Sequence, residues 1–280
     1  MDLHFRAFSF IDRITSLDDN VRIRGCYTIP SGLTAFPTSL AAESVGQLAA
    51  WAAMAASNFQ LRPIAGIAGT IEYLSSSQPG QELELSADLE SLDDDAIGYD
   101  GVASINGVPV IRLKNCVGPM VPLDEFDDPE HLRNRFAILR GRGAAPGGFG
   151  GLPAIQVDRA SNSSSQSRCA EVYVPASADF FADHFPRRAV FPGSLLMHLN
   201  LELAAELAAE LPSPATGGQW MLRAMHDIKF RAFVPPGDLL KTEIRLAKQS
   251  DRNMTVSVET RNTKRLVGGA RVEFVPEEGR

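Results

Sequence analysis

FPTSLAAESVGQLAAWAAMAAS (residues 36–57) and FPGSLLMHLNLELAAELAAEL (191–211) decide how this 280-residue chain is read, because they are one pattern written twice. Each opens on Phe-Pro and runs into a long apolar stretch of helix-forming residues. In the first, expected to be helical over about 39–57, Leu40, Ala41, Val45, Leu48, Trp51 and Met54 leave almost no polar face, which marks a helix buried on most sides. The flanks repeat as well. FSFIDRI (8–14) and alternating VRIRGCYTI (21–29) precede the first copy, while AIQVDRA (154–160) and CAEVYV (169–174) precede the second. Downstream, YLSSSQPGQELELSADLESL (73–92) is matched by FRAFVPPGDLLKTEIRLAKQ (230–249), each a Pro-Gly turn feeding an alternating strand. The offset between copies is 146 from Asp12 to Asp158, 155 from Phe36 to Phe191 and 157 from Pro79 to Pro236, so the second copy has a longer loop just before its helix.

These spacings predict an α+β chain of two like units, 1–140 and 154–280, each with one central helix wrapped by a mostly antiparallel sheet. Between them GRGAAPGGFGG (141–151) has six Gly and no periodic pattern, so 141–153 reads as a flexible linker. At 44% apolar the chain can build a sizeable core, and a net charge of −7 sets its field against nucleic acid and anionic membranes. Cys26, Cys116 and Cys169 fit neither a disulfide framework nor a zinc site. The longest apolar run, 48–56, is far short of a membrane span, and the start MDLHFRAFSFIDR lacks a signal-peptide pattern. A cytoplasmic protein without metal or organic cofactor is expected.

Two segments hold candidate chemistry. Glu43 is the first ionisable group of the first helix, and Gln47 lies one turn later on the same face. A carboxyl in apolar surroundings holds its proton to higher pH and serves as a general acid, whereas a place at the helix start would merely favour the dipole. In DHFPRRAVFPGSLL (183–196), His184 sits on a loop stiffened by Pro186 and Pro192, suited to a general base. Gly193 at the helix start offers bare backbone N–H groups to a developing oxyanion.

This second segment resembles the 3-hydroxyacyl-[acyl-carrier-protein] dehydratases of the FabZ/FabA group, in which a His-Phe-Pro loop leads through Val-x-Pro-Gly to an acid fourteen positions after the His, with Gln four further on. His184-Phe185-Pro186, Val190-Phe191-Pro192-Gly193, FRAFVPPGD (230–238) and the pairs Asp12-Arg13 and Asp158-Arg159 carry the likeness across both halves. The departure is at the acid: His198 stands fourteen residues after His184, whereas Pro37 to Glu43 has the family spacing and Gln47 follows. The first copy in turn has Ile29 where its His belongs and Thr38 where the second has Gly193.

The resemblance implies a double hotdog, two fused hotdog units whose sites are shared across the interface, with one working site made of His184 and Glu43 and a second, Ile29 with His198, inactive. It further implies dehydration of a 3-hydroxyacyl thioester carried on acyl carrier protein or coenzyme A, within fatty acid or polyketide-type synthesis. Gln47 would orient Glu43, and Gly193 with Val190 would polarise the thioester carbonyl. Phe185, Phe191 and Pro192 would contact substrate, Arg187 and Arg188 would meet the carrier, and Phe36, Trp51, Leu195 and Met197 are further candidates for an acyl tunnel. The fused chain would be a pseudo-dimer, open to further dimerisation. An acyl thioesterase and a non-catalytic acyl-binding subunit are the other readings of such a chain.

Overall fold

In the computed structural model the described residues are 7–18, 21–146, 148–160, 164–214 and 217–277. The first half runs β1 (Arg13–Asp18), β2 (Arg22–Thr28), α1 (Thr38–Ala56), β3 (Leu61–Pro63), β4 (Ile67–Tyr73), β5 (Glu82–Leu92), β6 (Ala96–Ile105), β7 (Val108–Pro122) and α2 (Pro129–Arg140). The second runs β8 (Gln156–Arg159), β9 (Ser167–Tyr173), α3 (Gly193–Glu210), β10 (Trp220–Phe230), β11 (Leu239–Gln249), β12 (Met254–Arg261) and β13 (Leu266–Pro276).

All pairings are antiparallel, and the strand order β1-β2-β5-β6-β7-β4-β10-β13-β12-β11-β9-β8, with β3 beside β7, reads as a palindrome about β4 and β10. There Ile71 faces Met225 and Ala68 faces Ile228, so the halves share one continuous sheet. A single sheet with a helix packed into each half is the double hotdog that the resemblance implies. Alternation explains the strands: β12 is buried at every second residue, and its inward Met254, Val256 and Val258 lie in the core. The hairpin joining β6 to β7 turns on Asn106 and Gly107, both left-handed (φ 51° and 76°), as a two-residue turn of this twist requires.

Both central helices follow a proline cap of identical geometry, Pro37 and Pro192 at φ −59° and ψ 131°, so the repeat is kept down to the helix entry. α1 is buried nearly all round, as its composition demands. The loop before α3 (174–192) is longer than that before α1 (29–37) and carries His184.

Two features depart from the sequence reading. Among the described residues α2 has no counterpart in the second half; Asp128 caps it by accepting from the N–H groups of Glu130 and His131. The glycine-rich segment is also pinned: Ala144 N–H donates to Asp12 O at 2.7 Å, and Phe149 is buried against Phe10 and Phe36. Glycine content foretold freedom, but one aromatic side chain with a pocket to fill is enough to anchor the segment. Among the described residues no helix is long and apolar enough to cross a membrane.

Candidate active site

A cavity of about 250 Å³ lies between the two halves, walled by Glu43, Gln47, Trp51 and Met54 of α1, by His184, Phe185, Val190 and Phe191 of the long loop, and by Gly193, Ser194 and Met197 of α3. His184 and Glu43 thus reach one space from opposite halves of the chain. Ile97, Tyr99, Leu113 and Cys116 make its wall largely apolar, and Gly46 opens it, since a Cβ there would stand 3.3 Å from the Tyr99 hydroxyl.

The two titratable groups are tuned in opposite senses. Burial pushes the Glu43 carboxyl above the ordinary carboxylate range, and the nearby Gln47 amide and Ser194 hydroxyl, which favour the charged form, offset this in part. The Ser194 contact is loose, for its hydroxyl is buried without a hydrogen bond of ordinary length among the described residues. Burial pulls His184 down to about 4, against the support of the Val190 carbonyl and with a smaller repulsion from Arg62. Near neutral pH the imidazole is therefore neutral. Its Nδ1 lies 2.9 Å from the Val190 carbonyl oxygen, which only accepts, so Nδ1 bears the proton and Nε2 keeps a free lone pair.

Each group is held by its neighbours. Gln47 Nε2 donates to Glu43 Oε1 at 2.9 Å and to Phe8 O at 3.0 Å, while its Oε1 accepts from Phe10 N–H at 2.9 Å. The His184 ring stacks on Phe185 at 4.1 Å and meets the edge of Phe8 at 5.7 Å. Phe185 takes a left-handed φ of 79°, costly for a residue with a side chain and of the kind that collects at functional loops. Next to the base, buried Asp183 accepts from Phe8 N–H at 2.9 Å and pairs with Arg135 of α2 at 3.5 Å. The Phe8–Phe10 segment therefore links the neighbours of both candidate catalytic groups, Gln47 in its own half and Asp183 in the other.

Gly193 is required by close packing, because a Cβ would meet the Phe230 ring at 2.9 Å. As the first residues of α3, Gly193 and Ser194 have N–H groups with no acceptor inside the helix, and both line the cavity. Val190 plays a different part from the one expected. Its N–H is turned to the His184 carbonyl at 3.5 Å, and its own carbonyl holds the imidazole, which leaves the oxyanion position to the start of α3.

Pro192, Arg187 and Arg188 are absent from the cavity wall. Pro192 is spent as the cap of α3. Arg187 donates to Asp128 at 2.8 Å and to the Asp124 carbonyl, and Arg188 pairs with Glu125 at 3.5 Å over the rings of Phe126 and Phe233, so both clamp the loop to the first half rather than stand free for a carrier. Of the further tunnel candidates Trp51 and Met197 line the cavity; Phe36 packs with Phe10, Tyr27 and Phe149, and Leu195 faces the core. Of the complementary pair, Ile29 in the first half is fully buried, and His198 in the second lies 3.6 Å from Glu202 on α3; neither lines the cavity. The sequence reading missed Phe8, Arg62, Tyr99, Asp127, Arg135 and Asp183. Only Asp183, beside His184, carried a signal, an acid next to a base; the others converge through tertiary contacts.

A palindromic double-hotdog sheet thus encloses one cleft in which a neutral imidazole and a carboxyl raised by burial both line the wall. Comparison with known proteins places the chain in a family. The ApeI-like family, described as ApeI dehydratase, matches residues 160–270. The 3-hydroxyacyl-[acyl-carrier-protein] dehydratase FabZ of Lactobacillus helveticus is 31% identical over 102 residues, covering 36% of this chain and 68% of that protein. FabZ of Lactiplantibacillus plantarum is 36% identical over 86 residues, covering 31% of this chain and 58% of that one. The chain belongs to the FabZ-type dehydratase family, and it spans from about half to four fifths of the length of the curated relatives it matches. Solved structures share the fold at low identity: the tesB protein of Mycobacterium avium subspecies paratuberculosis has a TM-score of 0.58 at 12% identity, covering 95% of this chain and 96% of that one. The 12:0-ACP thioesterase of Umbellularia californica has a TM-score of 0.56 at 9% identity, covering 91% and 94%.

Proposed function

We propose that this chain removes water from a 3-hydroxyacyl thioester to give the trans-2-enoyl thioester, at one composite site in which His184 is the base and Glu43 the acid. The observation that carries the reading is that these two side chains, from different halves, line one largely apolar cavity in which burial favours the uncharged form of each. His184 Nε2 takes the α-proton; the electron pair left behind forms the Cα–Cβ double bond as the Cβ–O bond breaks, and the departing hydroxyl takes the Glu43 proton and leaves as water. One proton passing from His184 back to Glu43 resets the pair. The N–H groups at the start of α3 polarise the thioester carbonyl while the α-carbon loses its proton. General acid and base terms of this kind are worth about 10²–10⁴-fold each.

The carrier in this reading is acyl carrier protein, as in the names of the FabZ relatives, or coenzyme A. The units extend over 1–140 and 154–280, joined by 141–153, and the pathway is fatty acid or polyketide-type synthesis. A thioesterase on the same fold would need a carboxylate and water but no imidazole. The test is purified chain with a 3-hydroxyacyl-carrier-protein thioester, following enoyl product and free thiol separately for wild type, His184→Ala and Glu43→Gln. Enoyl formation lost in both variants is the expected result. Thiol release without enoyl product in the wild type, or enoyl formation that survives His184→Ala, would overturn the reading.

A further inference from the structure

The catalytic scheme leaves one buried charge beside the site unused. Arg62 of β3 lines the cavity with its side chain only 12% exposed. Among the described residues it makes no hydrogen bond. Its nearest carboxylate, Asp127, stands 3.9 Å from Nη1, and Nε is buried without a partner. A guanidinium carries five donors, and buried donors in native proteins are nearly always satisfied, so an unmet set opening on a ligand cavity calls for an acceptor that arrives with the ligand. The group is fixed in position, for its Cζ lies 3.9 Å from the centre of the Phe185 ring. His184 stacks on that same ring at 4.1 Å. The guanidinium and the imidazole therefore both pack on the Phe185 ring.

Charge and direction identify the acceptor. Arg62 with Asp127 and Arg135 with Asp183 balance locally, so a further carboxylate would bury net negative charge, whereas an uncharged oxygen satisfies the donors at no such cost. The exposed parts of the cavity wall, Ala65, Ile67 and Val117, include the segment that follows Arg62 in the chain, while Trp51, Met54 and Leu132 of the wall are buried. An acyl chain lying against Trp51 and Met54 with its thiol side toward Ala65 and Ile67 would bring that side to the Arg62 segment. The pantetheine arms of carrier-protein and coenzyme A thioesters are both studded with amide carbonyls.

Resting on the thioester reading above, we propose that Arg62 is a binding residue for an amide carbonyl of the thiol-side arm. Unreactive ligands separate this from catalysis: S-butyl thioethers of pantetheine, of N-acetylcysteamine, and of 2-mercaptoethanol, which lacks an amide. Their Kd values are measured by calorimetry on the full chain for wild type, Arg62→Lys, which keeps the charge but not the fork, and Arg62→Met with Asp127→Asn, which removes both partners of the pair. Thermal melts establish that each variant is folded. The two amide-bearing thioethers should bind about tenfold more weakly to the variants, and the mercaptoethanol thioether should change less than twofold. Equal losses for all three ligands, or no loss for any, would overturn the assignment. Because none of the ligands can be dehydrated, the result stands apart from whether the chain forms enoyl product.

Discussion

Acidifying the protein from pH 7 to 4 should cost it stability through His184, by an amount fixed by the burial of the ring. In the unfolded chain the imidazole takes its proton near the ordinary 6.5; in the fold it does so only at about 4, chiefly because burial removes the charged form from water. Between those values the unfolded chain binds the proton and the folded one does not, so stability rises with pH across that window. The contribution is fully present above 6.5 and is lost as pH falls through 4. At about 1.4 kcal/mol per pH unit of proton affinity, the loss is about 3 kcal/mol, a large part of the stability of a typical domain. Glu43 works in the opposite direction, since a raised carboxyl favours the fold as pH falls, so the wild-type curve alone is a sum. The clean measurement is the difference in unfolding free energy between wild type and His184→Gln, from urea melts at intervals between pH 7 and 4. That difference should shift by about 3 kcal/mol over the range, with the variant the flatter of the two. A difference independent of pH would show that His184 is solvated in the fold, and the basis for a neutral base poised in an apolar cleft would go with it.

Other substitutions probe the remaining contacts. Gln47→Leu removes a donor that favours ionised Glu43, so the carboxyl should hold its proton to still higher pH and the alkaline fall in kcat/KM should move up; a downward shift counts against Glu43 as the acid. Gly46→Leu puts a side chain against Tyr99, and kcat/KM should drop most for the longest acyl thioesters in a chain-length series. Gly193→Ala drives a methyl into the Phe230 ring, for an expected loss of about 1–3 kcal/mol in denaturant melts together with a lower kcat. Arg135→Met takes the cation from buried Asp183, with an expected cost of about 3–5 kcal/mol, read as a fall in Tm.

The repeat and the two Phe-Pro helix entries were legible because they rest on local rules: periodicity, a proline cap and alternation along strands. Glu43, Gln47, His184 and Gly193 were legible through spacing, and all four meet at one cavity. What escaped was whatever depends on the path of the backbone in three dimensions. Arg187 and Arg188 look like a free cationic pair in one dimension, but the start of α2 brings Asp128 and Glu125 to them. Val190 reads as an oxyanion donor until the loop turns its N–H to the His184 carbonyl and its own carbonyl to the His184 ring. The Phe8–Phe10 segment has no motif at all, and it matters only because its backbone runs between Gln47 and Asp183.

Fusion of two like units explains why the halves differ where they do. At the helix offset, Gly46 of α1 corresponds to Leu201 of α3, and Leu201 is buried. In the sheet, Ala87 pairs with Gly101 while the matching Ile244 pairs with Val258, so a second glycine beside the cavity helix is replaced by a buried valine. The first exchange puts a side chain where α1 has none, whereas at Gly101 the place of a Cβ is taken by Val45, so the valine of β12 marks a different packing against the helix and not a filled space. On the scale of empty core cavities, about 24 cal/mol per Å³, a second void of about 250 Å³ would cost up to about 6 kcal/mol, as much as many domains have in total. Separate identical subunits must keep both cavities, because one sequence builds both sites. Once joined, each half is free to change, and in this chain α3 carries both His198 at the family's acid position and buried Leu201 at the place of Gly46. On this view the exchange of the acid and the packing of the space beside it belong together.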